Sequence, residues 1–221
     1  AATPTRRELG LPDQGFVFCC LNNSYKILPG VFDGWMRLLQ KTPGSVLWLL
    51  GDNDTARRNL RAHAQARGVA PERLVFAERR PYDQYLAQYR QADLFLDTLP
   101  FNGGTTVSDA LWAGLPVLTQ VGDRFAGRMA ASLLDCIGLP ELITHSQPEY
   151  EALAHRLATE PGLLQGLRDR LAANIRTRPL FDTRRFTRNL ERAFDHMIER
   201  HAQGLPPQGF DVADLPPASS T

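Results

Sequence analysis

Cysteine is scarce in this chain of 221 residues, and the three cysteines present are poorly spaced for cross-linking or metal binding. Cys19 and Cys20 are adjacent within an apolar run, so their side chains point to opposite faces of a strand. That spacing fits neither a zinc site nor a disulfide framework. We therefore expect Cys19, Cys20 and Cys136 to be reduced packing residues in a cytoplasmic protein.

Other absences exclude whole classes of protein. The net charge is only +1, which argues against bulk binding to nucleic acid or to an anionic membrane surface. No apolar stretch reaches the roughly 18 residues of a membrane-spanning helix, and no signal sequence opens the chain. The five histidines lack metal-ligand spacing, and we expect no metal cofactor. The GxGxxG fingerprint is missing after the first strand, which disfavours a nicotinamide-dependent dehydrogenase.

Short apolar runs alternate with helical patterns over the first two thirds of the chain. The predicted strands are Phe16–Leu21, Ser45–Leu50, Arg73–Phe76, Leu94–Asp97 and Pro116–Thr119. The helices predicted between and after them are Val31–Gln40, Thr55–Arg67, Pro81–Ala92, one starting at Thr105, and Arg128–Cys136. This alternation predicts an α/β fold with a doubly wound parallel sheet. Ligands of such sheets bind beyond the carboxyl ends of the strands.

The remaining sequence is helical until a loose tail. Three further helices are predicted at Glu149–Ala158, Gly162–Arg176 and Thr183–His201, with Phe181, Phe186 and Phe194 packing inward. The resulting organisation is a linker at 1–12, one domain at 13–203 that includes the C-terminal helices, and a loose tail at 204–221.

The segment Asp97–Pro116 carries the most specific signal. It predicts a strand end, a Gly103-Gly104-Thr105-Thr106 turn and then a helix. The first amides of such a helix have no partner inside it, glycines let a ligand approach the backbone, and threonine hydroxyls add donors. This combination predicts a diphosphate site. The alternative is an ordinary capped helix that follows a loop.

Polar residues also follow the other predicted strands. Lys26, in Asn22-Asn23-Ser24-Tyr25-Lys26, offers a compact charge for a phosphate, or is simply an exposed loop lysine. Arg80, Tyr82 and Tyr85 follow the third strand, and could hold a base and its ribose or form a helix start beside solvated arginines. Asp109, four residues beyond Thr105, either accepts from a ribose hydroxyl or complements the helix dipole.

These motifs together closely resemble one family, the protein O-linked N-acetylglucosamine transferases. The segments that carry the resemblance are LNNSYKI at Leu21–Ile27, SVLWLL at Ser45–Leu50, the long stretch Ala92–Thr119, RMAASLL at Arg128–Leu134, and Pro179–Phe194. The similarity runs in order from Leu11 to Gln203, and we interpret the chain as a bacterial homologue.

The resemblance implies a glycosyltransferase B architecture of two Rossmann-like lobes preceded by tetratricopeptide repeats. This chain matches only the C-terminal lobe, which in the family binds the UDP part of UDP-N-acetylglucosamine. The partners implied are therefore the UDP-sugar donor, a protein Ser/Thr acceptor, and the N-terminal lobe and repeats of the same polypeptide. Alone, the chain is expected to bind UDP weakly and to catalyse nothing.

The resemblance also assigns roles to individual positions. Asn23 and Lys26 meet the diphosphate, with Lys26 important for turnover, and Leu49 lines the nucleotide. The other implied contacts are Arg80 to uracil through its backbone, Tyr82 and Tyr85 to base or ribose, Gly104, Thr105 and Thr106 to the phosphates, and Asp109 to ribose.

Three positions depart from the pattern of the animal members. Tyr82 replaces a lysine, Tyr85 a histidine, and Gly104 a histidine that precedes the two threonines. These changes affect side-chain contacts but leave the backbone amides of the turn.

The family transfers sugar with inversion and without a metal, in one displacement onto a hydroxyl. The leaving diphosphate must then be neutralised by fixed dipoles and cations, a role suited to Lys26 and the helix start. Two alternatives stay open: another UDP-sugar enzyme such as an epimerase, or a nucleotide-binding module without catalysis.

Overall fold

The computed structural model describes residues 2–213 and contains one sheet flanked by helices. Its six strands are β1 Val17–Cys20, β2 Val46–Leu50, β3 Leu74–Ala77, β4 Leu94–Leu96, β5 Val117–Gln120 and β6 Ile143–Thr144. The strand order is β3-β2-β1-β4-β5-β6, and every pairing is parallel. The predicted α/β class and doubly wound parallel sheet are confirmed.

Eight α-helices accompany the sheet within residues 2–213. They are α1 Pro29–Lys41, α2 Asp54–Ala66, α3 Tyr82–Gln88, α4 Thr105–Trp112, α5 Met129–Ile137, α6 Gln147–Thr159, α7 Pro161–Asn174 and α8 Thr183–Ala202. Several begin at side-chain caps: Asn53 accepts from the Ala56 amide at 2.7 Å, and Asp182 accepts from the Arg185 amide at 2.9 Å. Such caps satisfy amides that have no partner inside the helix.

The central strands are buried on both faces, as expected where helices cover a parallel sheet on each side. All four residues of β1 are fully buried, including Cys19 and Cys20. Burial raises the pKa of both thiols, which favours their neutral form. This agrees with the prediction that these two cysteines are packing residues, and Cys136 lies half-buried in α5.

Two differences from the sequence expectations concern the periphery. Phe186 and Phe194 do not pack inward: they are 65% and 52% exposed on α8, which has no buried residue. Only Phe181 packs as expected, with its ring centroid 5.0 Å from that of Trp112. Part of the predicted linker belongs to the domain, because Leu9 and Leu11 are buried in the core.

The structure describes the predicted tail as far as residue 213, and its remaining residues lie outside the described part. Two arginines of α8 reach the tail: Arg192 donates to the Ala213 carbonyl and Arg200 to the Pro206 carbonyl, each at 2.8 Å. Within residues 2–213, none of the helices combines the length and apolar character that a membrane crossing needs.

The strand order determines where a ligand is expected. The chain leaves β1 toward β2 on one side, and β4 pairs with β1 on the other. The chain therefore continues in opposite directions from the neighbouring strands β1 and β4. This leaves a crevice between their loops at the carboxyl edge, the place where open α/β sheets bind ligands.

Candidate functional site

The register of β1 and β4 brings two polar loops together. Cys19 pairs with Phe95, so the residues that follow both strands continue side by side. Asn22 Nδ2 donates to Thr98 Oγ1 at 2.9 Å and to Asp97 Oδ1 at 3.3 Å. The loop after β1 is thus fastened directly to the loop that leads into α4.

Asp97 lies beneath this crevice and is 3% exposed. Its carboxylate accepts from the Gly103 amide at 2.7 Å and from Thr119 Oγ1 at 2.8 Å. Burial raises the pKa of Asp97 to about 6, while these hydrogen bonds oppose the rise. Asp97 is therefore ionised at neutral pH and joins β4, β5 and the glycine turn.

Lys26 crosses from the loop after β1 to the loop after β4. Its Nζ donates to the Asn102 carbonyl at 2.8 Å and lies 3.9 Å from the centroid of the Phe101 ring. Partial burial lowers the pKa of Lys26. These two contacts hold the cation next to the segment that begins α4, which distinguishes it from a freely solvated loop lysine.

The start of α4 has the form predicted for an anion site. Gly104 is the N-cap, and in the described part of the chain no side chain caps this end. The Thr106 hydroxyl donates to Asn22 Oδ1, and Thr105 is exposed at the first helical position. The amides of this first turn carry the positive end of the helix dipole.

The two glycines of the turn face different surroundings. A Cβ on Gly103 would lie 2.5 Å from Thr106 Oγ1 and 2.8 Å from Asn22 Oδ1. A Cβ on Gly104 would meet only the flexible end of Met129, at 2.8 Å from its Cε. Gly103 is thus required by close packing, whereas Gly104 has room nearby if Met129 moves.

Three tyrosines, each in contact with the next, extend from the surface to the start of α4. Tyr82 is 62% exposed, and its ring stacks on Tyr85 with centroids 6.0 Å apart. The Tyr85 and Tyr89 hydroxyls are 2.6 Å apart, and Tyr89 is fully buried. The Tyr82 hydroxyl donates to Asp109 Oδ1 at 2.8 Å, which raises the pKa of Tyr82. Tyr82, Tyr85 and Asp109 are therefore neighbours, and their contacts with a nucleotide stay a prediction.

The other predicted site residues are less closely connected. Asn23 precedes the 3-10 turn Ser24–Lys26, and its carbonyl accepts from the Lys26 amide at 3.0 Å. Arg80 lies half-buried in the loop between β3 and α3. Leu49 is fully buried in β2, where its side chain belongs to the core. The predicted nucleotide contacts of these three residues stay predictions.

Sequence reasoning assigned no role to Asp97 or Asn102 and treated Asn22 only as part of a loop that could meet an anion, although the structure places all three between the predicted contacts. Asn102 is fully buried, and its Nδ2 donates to the Thr98 carbonyl at 2.8 Å. The available signal was the position of Asp97 and Asn22 at the carboxyl ends of apolar strands, where a polar residue is enclosed only if it is hydrogen-bonded.

Polar residues after β2 have structural partners. Asp52 accepts from the Ser24 hydroxyl at 2.9 Å, and Asn53 caps α2. Among the residues that the structure describes, no group of three His, Cys, Asp or Glu side chains is arranged to hold a metal ion.

Comparison with protein families gives one decisive match. The model described as glycosyl transferase family 41 matches residues 2–190, which is most of the chain. The chain belongs to glycosyl transferase family 41. The resemblance found in the sequence motifs is thereby confirmed at the level of the family.

Two relatives agree with this assignment. The probable UDP-N-acetylglucosamine–peptide N-acetylglucosaminyltransferase SEC of Arabidopsis thaliana is 38% identical over 212 residues, which cover 96% of this chain and 22% of that protein. A solved mutant of the O-GlcNAc transferase of Thermobaculum terrenum is 37% identical with a TM-score of 0.82, covering 86% of this chain and 37% of that one. The family 41 chain described here therefore spans only a minor part of these relatives.

A more distant structure shares the fold alone. The UDP-GlcNAc 2-epimerase of Neisseria meningitidis is 12% identical with a TM-score of 0.53, and the match covers 74% of this chain and 41% of that one. This chain and the epimerase thus share an architecture, and the comparison shows no closer relationship between them.

Proposed function

We propose that this family 41 chain is the UDP-sugar-binding lobe of a protein O-GlcNAc transferase. The observation that carries the proposal is the meeting of Lys26 with the start of α4: Nζ lies 2.8 Å from the Asn102 carbonyl, two residues before the N-cap Gly104. A cation and a free helix start at one point match the two negative charges of a diphosphate.

The nucleoside would lie beside this point, toward the tyrosines. Asp109 is on α4 and shares a hydrogen bond with Tyr82, which begins α3. A carboxylate is an acceptor for ribose hydroxyls, and an exposed tyrosine ring offers a flat apolar face to a base. The proposed order along the carboxyl edge is therefore diphosphate at Lys26 and Thr105, ribose at Asp109, and uracil near Arg80 and Tyr82.

The proposed reaction is a single inverting displacement. A Ser or Thr hydroxyl oxygen of the acceptor bonds to the anomeric carbon, the bond from that carbon to the diphosphate breaks, and UDP leaves with the electron pair. Lys26 and the first-turn amides of α4 stabilise the negative charge that grows on the leaving UDP, without a metal. We propose that the base that takes the hydroxyl proton and the acceptor groove belong to an N-terminal lobe of the same polypeptide.

The wider setting is also a proposal. We infer tetratricopeptide repeats and an N-terminal lobe as partners within the polypeptide, since this chain spans 37% of the bacterial O-GlcNAc transferase chain that it resembles. The buried thiols of Cys19 and Cys20 are compatible with a cytoplasmic location.

Two measurements test the proposal. Isothermal titration calorimetry of the chain with UDP should show 1:1 binding, with UMP weaker because it lacks one phosphate. A peptide glycosylation assay with the polypeptide that contains both lobes should show transfer from UDP-N-acetylglucosamine. Binding without transfer would favour a nucleotide-binding module. Inversion of the sugar carbon that bears the N-acetyl group, in the absence of an acceptor, would favour an epimerase.

A further inference from the structure

Asp97 has an unusual position for a residue that no predicted contact uses. It is enclosed below the crevice, yet its carboxylate accepts hydrogen bonds from both loops that form the crevice. The Gly103 amide donates at 2.7 Å and Asn22 Nδ2 at 3.3 Å, while Thr119 Oγ1 donates at 2.8 Å from β5. One buried carboxylate thus accepts hydrogen bonds from the loop after β1, from the loop after β4 and from β5.

Asp97 and Thr98 together fix the direction of the hydrogen bonds that reach the surface. An ionised carboxylate only accepts, and the Thr98 hydroxyl already donates its proton to the Phe101 carbonyl, so Asn22 must turn its Nδ2 toward both. Asn22 Oδ1 then faces Thr106, and the Thr106 hydroxyl must donate to it. Because a hydroxyl carries one proton, the Thr106 hydroxyl has none left to donate to an anion. Only the backbone amide of Thr106 can then donate to an anion.

The Gly103 amide is held from the same side. Asp97 draws this amide inward, one residue before the N-cap of α4. The surrounding space is closed, since a Cβ at Gly103 would meet both Thr106 and Asn22. The turn is therefore fixed by Asp97 at the backbone and by Asn22 at Thr106, and both restraints end on the same carboxylate.

We propose that Asp97 is a positioning residue for the diphosphate: it holds the Gly103 amide and, together with Thr98, the side chain of Asn22, and so aims the first-turn amides of α4 at the phosphates. This inference rests on the proposed function. Asp97 acts through Asn22 and Gly103 and does not touch the donor itself. The proposal also predicts that Thr106 binds the diphosphate through its backbone amide, whereas Thr105 can donate to it from its hydroxyl.

Two physical effects of removing the charge have opposite signs. A negative charge beneath a diphosphate repels it, so electrostatics alone predict that Asp97→Asn binds the donor more tightly. Positioning predicts the reverse, because the amide of the variant offers one acceptor oxygen where the carboxylate offers two, so it cannot accept from Gly103, Asn22 and Thr119 as Asp97 does. The direction of the change therefore separates the two effects.

The first experiment titrates wild type and Asp97→Asn with UDP-N-acetylglucosamine at pH 7.5 by calorimetry. We expect about a ten-fold weaker affinity in the variant, the size of one or two lost hydrogen bonds. The matched control is Thr144→Val, which removes a buried hydroxyl bonded to the Thr119 carbonyl at 2.9 Å and leaves the crevice unchanged. Its affinity should equal that of wild type, and urea unfolding establishes that both variants are folded.

The second experiment needs no variant and follows wild-type affinity from pH 7.5 to 5.5. Protonation of Asp97, whose pKa burial raises to about 6, should weaken binding over this range. UDP-N-acetylglucosamine is the required probe because both of its phosphates are esterified, whereas free UDP has a phosphate that titrates near pH 6. The other titratable groups near Asp97 are Cys20, Lys26 and Tyr150, and the raised pKa values of Cys20 and Tyr150 keep both neutral here.

The outcomes are distinguishable. Weaker binding by Asp97→Asn supports the positioning role when the affinity of the wild type also decreases as the pH is lowered past 6. Equal or tighter binding by the variant, or a wild-type affinity that rises as the pH is lowered, overturns it and leaves the proposed function intact. A wild-type chain with no affinity for the UDP-sugar at pH 7.5 overturns the proposed function itself.

Discussion

The Tyr82 hydroxyl donates a 2.8 Å hydrogen bond to Oδ1 of Asp109, joining the first residue of α3 to the middle of α4. With this phenol in place, Asp109 is 8% exposed. In the proposed function Asp109 accepts from the ribose of the donor. The Tyr82 hydroxyl and the ribose then compete for the same carboxylate.

This competition predicts that Tyr82→Phe binds UDP about three-fold more tightly than wild type, because one hydrogen bond no longer has to be exchanged. The phenyl ring remains to face the base. Calorimetry with UDP measures the change, and Tyr25→Phe is a control that removes another exposed phenol at the same edge of the sheet. Weaker binding by Tyr82→Phe alone would show that the hydroxyl contacts the nucleotide directly.

Lys26 is the residue on which turnover should depend most. Lys26→Ala removes the cation that the structure holds 2.8 Å from the Asn102 carbonyl, and with it the charge that the proposed function places opposite the leaving UDP. Losing one such donor raises the barrier by about 3 kcal/mol, so turnover by the two-lobe polypeptide should fall by roughly 100-fold or more.

Lys41→Ala is the matched control for Lys26, since Lys41 is an exposed lysine at the end of α1. A peptide glycosylation assay compares the two variants at equal concentrations of folded protein. Near-normal turnover by Lys26→Ala would refute the assigned role, whereas equal losses in both variants would indicate a general effect of lowered positive charge.

The glycine turn yields a prediction about stability. Gly103→Ala forces a methyl group to within 2.5 Å of Thr106 Oγ1, so the turn or Asn22 must shift, at a cost of about 2 kcal/mol in the free energy of unfolding. Gly104→Ala meets only the mobile end of Met129 and should cost less than half as much. Urea unfolding of both variants decides the matter, and a larger loss at Gly104 than at Gly103 would contradict it.

The sequence was sufficient for the architecture because its strands are continuous apolar runs. Val17–Cys20 and Val46–Leu50 are buried along almost their whole length, and both were recognised within two residues of their ends. The strand Ile143–Thr144 escaped notice because two residues carry no periodicity and it forms only through pairing with β5. Likewise, an amphipathic pattern predicted an inward face for α8, whereas its aromatic side chains are exposed.

The site was only partly accessible to sequence reasoning. The GGTT turn and Lys26 were predicted as site residues from local chemistry, since each lies in the loop that follows a strand. Their connection through Asn22 and Asp97 joins residues about 75 positions apart and depends on the register of β1 against β4. No local pattern encodes that register, so the polarity of the hydrogen-bond chain became visible only in the folded structure.

The buried carboxylate of Asp97 predicts a specific pH dependence of stability. Its folded pKa of about 6 exceeds the ordinary value of 3.8, because burial disfavours the charged form. A raised folded pKa means that the folded state binds the proton more tightly than the unfolded chain between these two values. The contribution of Asp97 to stability is therefore complete below about pH 4 and is lost as the pH rises through 6.

Asp97→Asn removes this titration. Urea unfolding at pH 4.5 and at pH 7.5 should show that the wild type loses about 2 kcal/mol more than the variant on going to the higher pH. Comparing the changes with pH, rather than the absolute stabilities, cancels the constant cost of altered hydrogen bonds in the variant. Parallel pH profiles for the two proteins would mean that the folded structure does not disfavour the ionised carboxylate, because its hydrogen bonds to Gly103 and Thr119 fully compensate for burial.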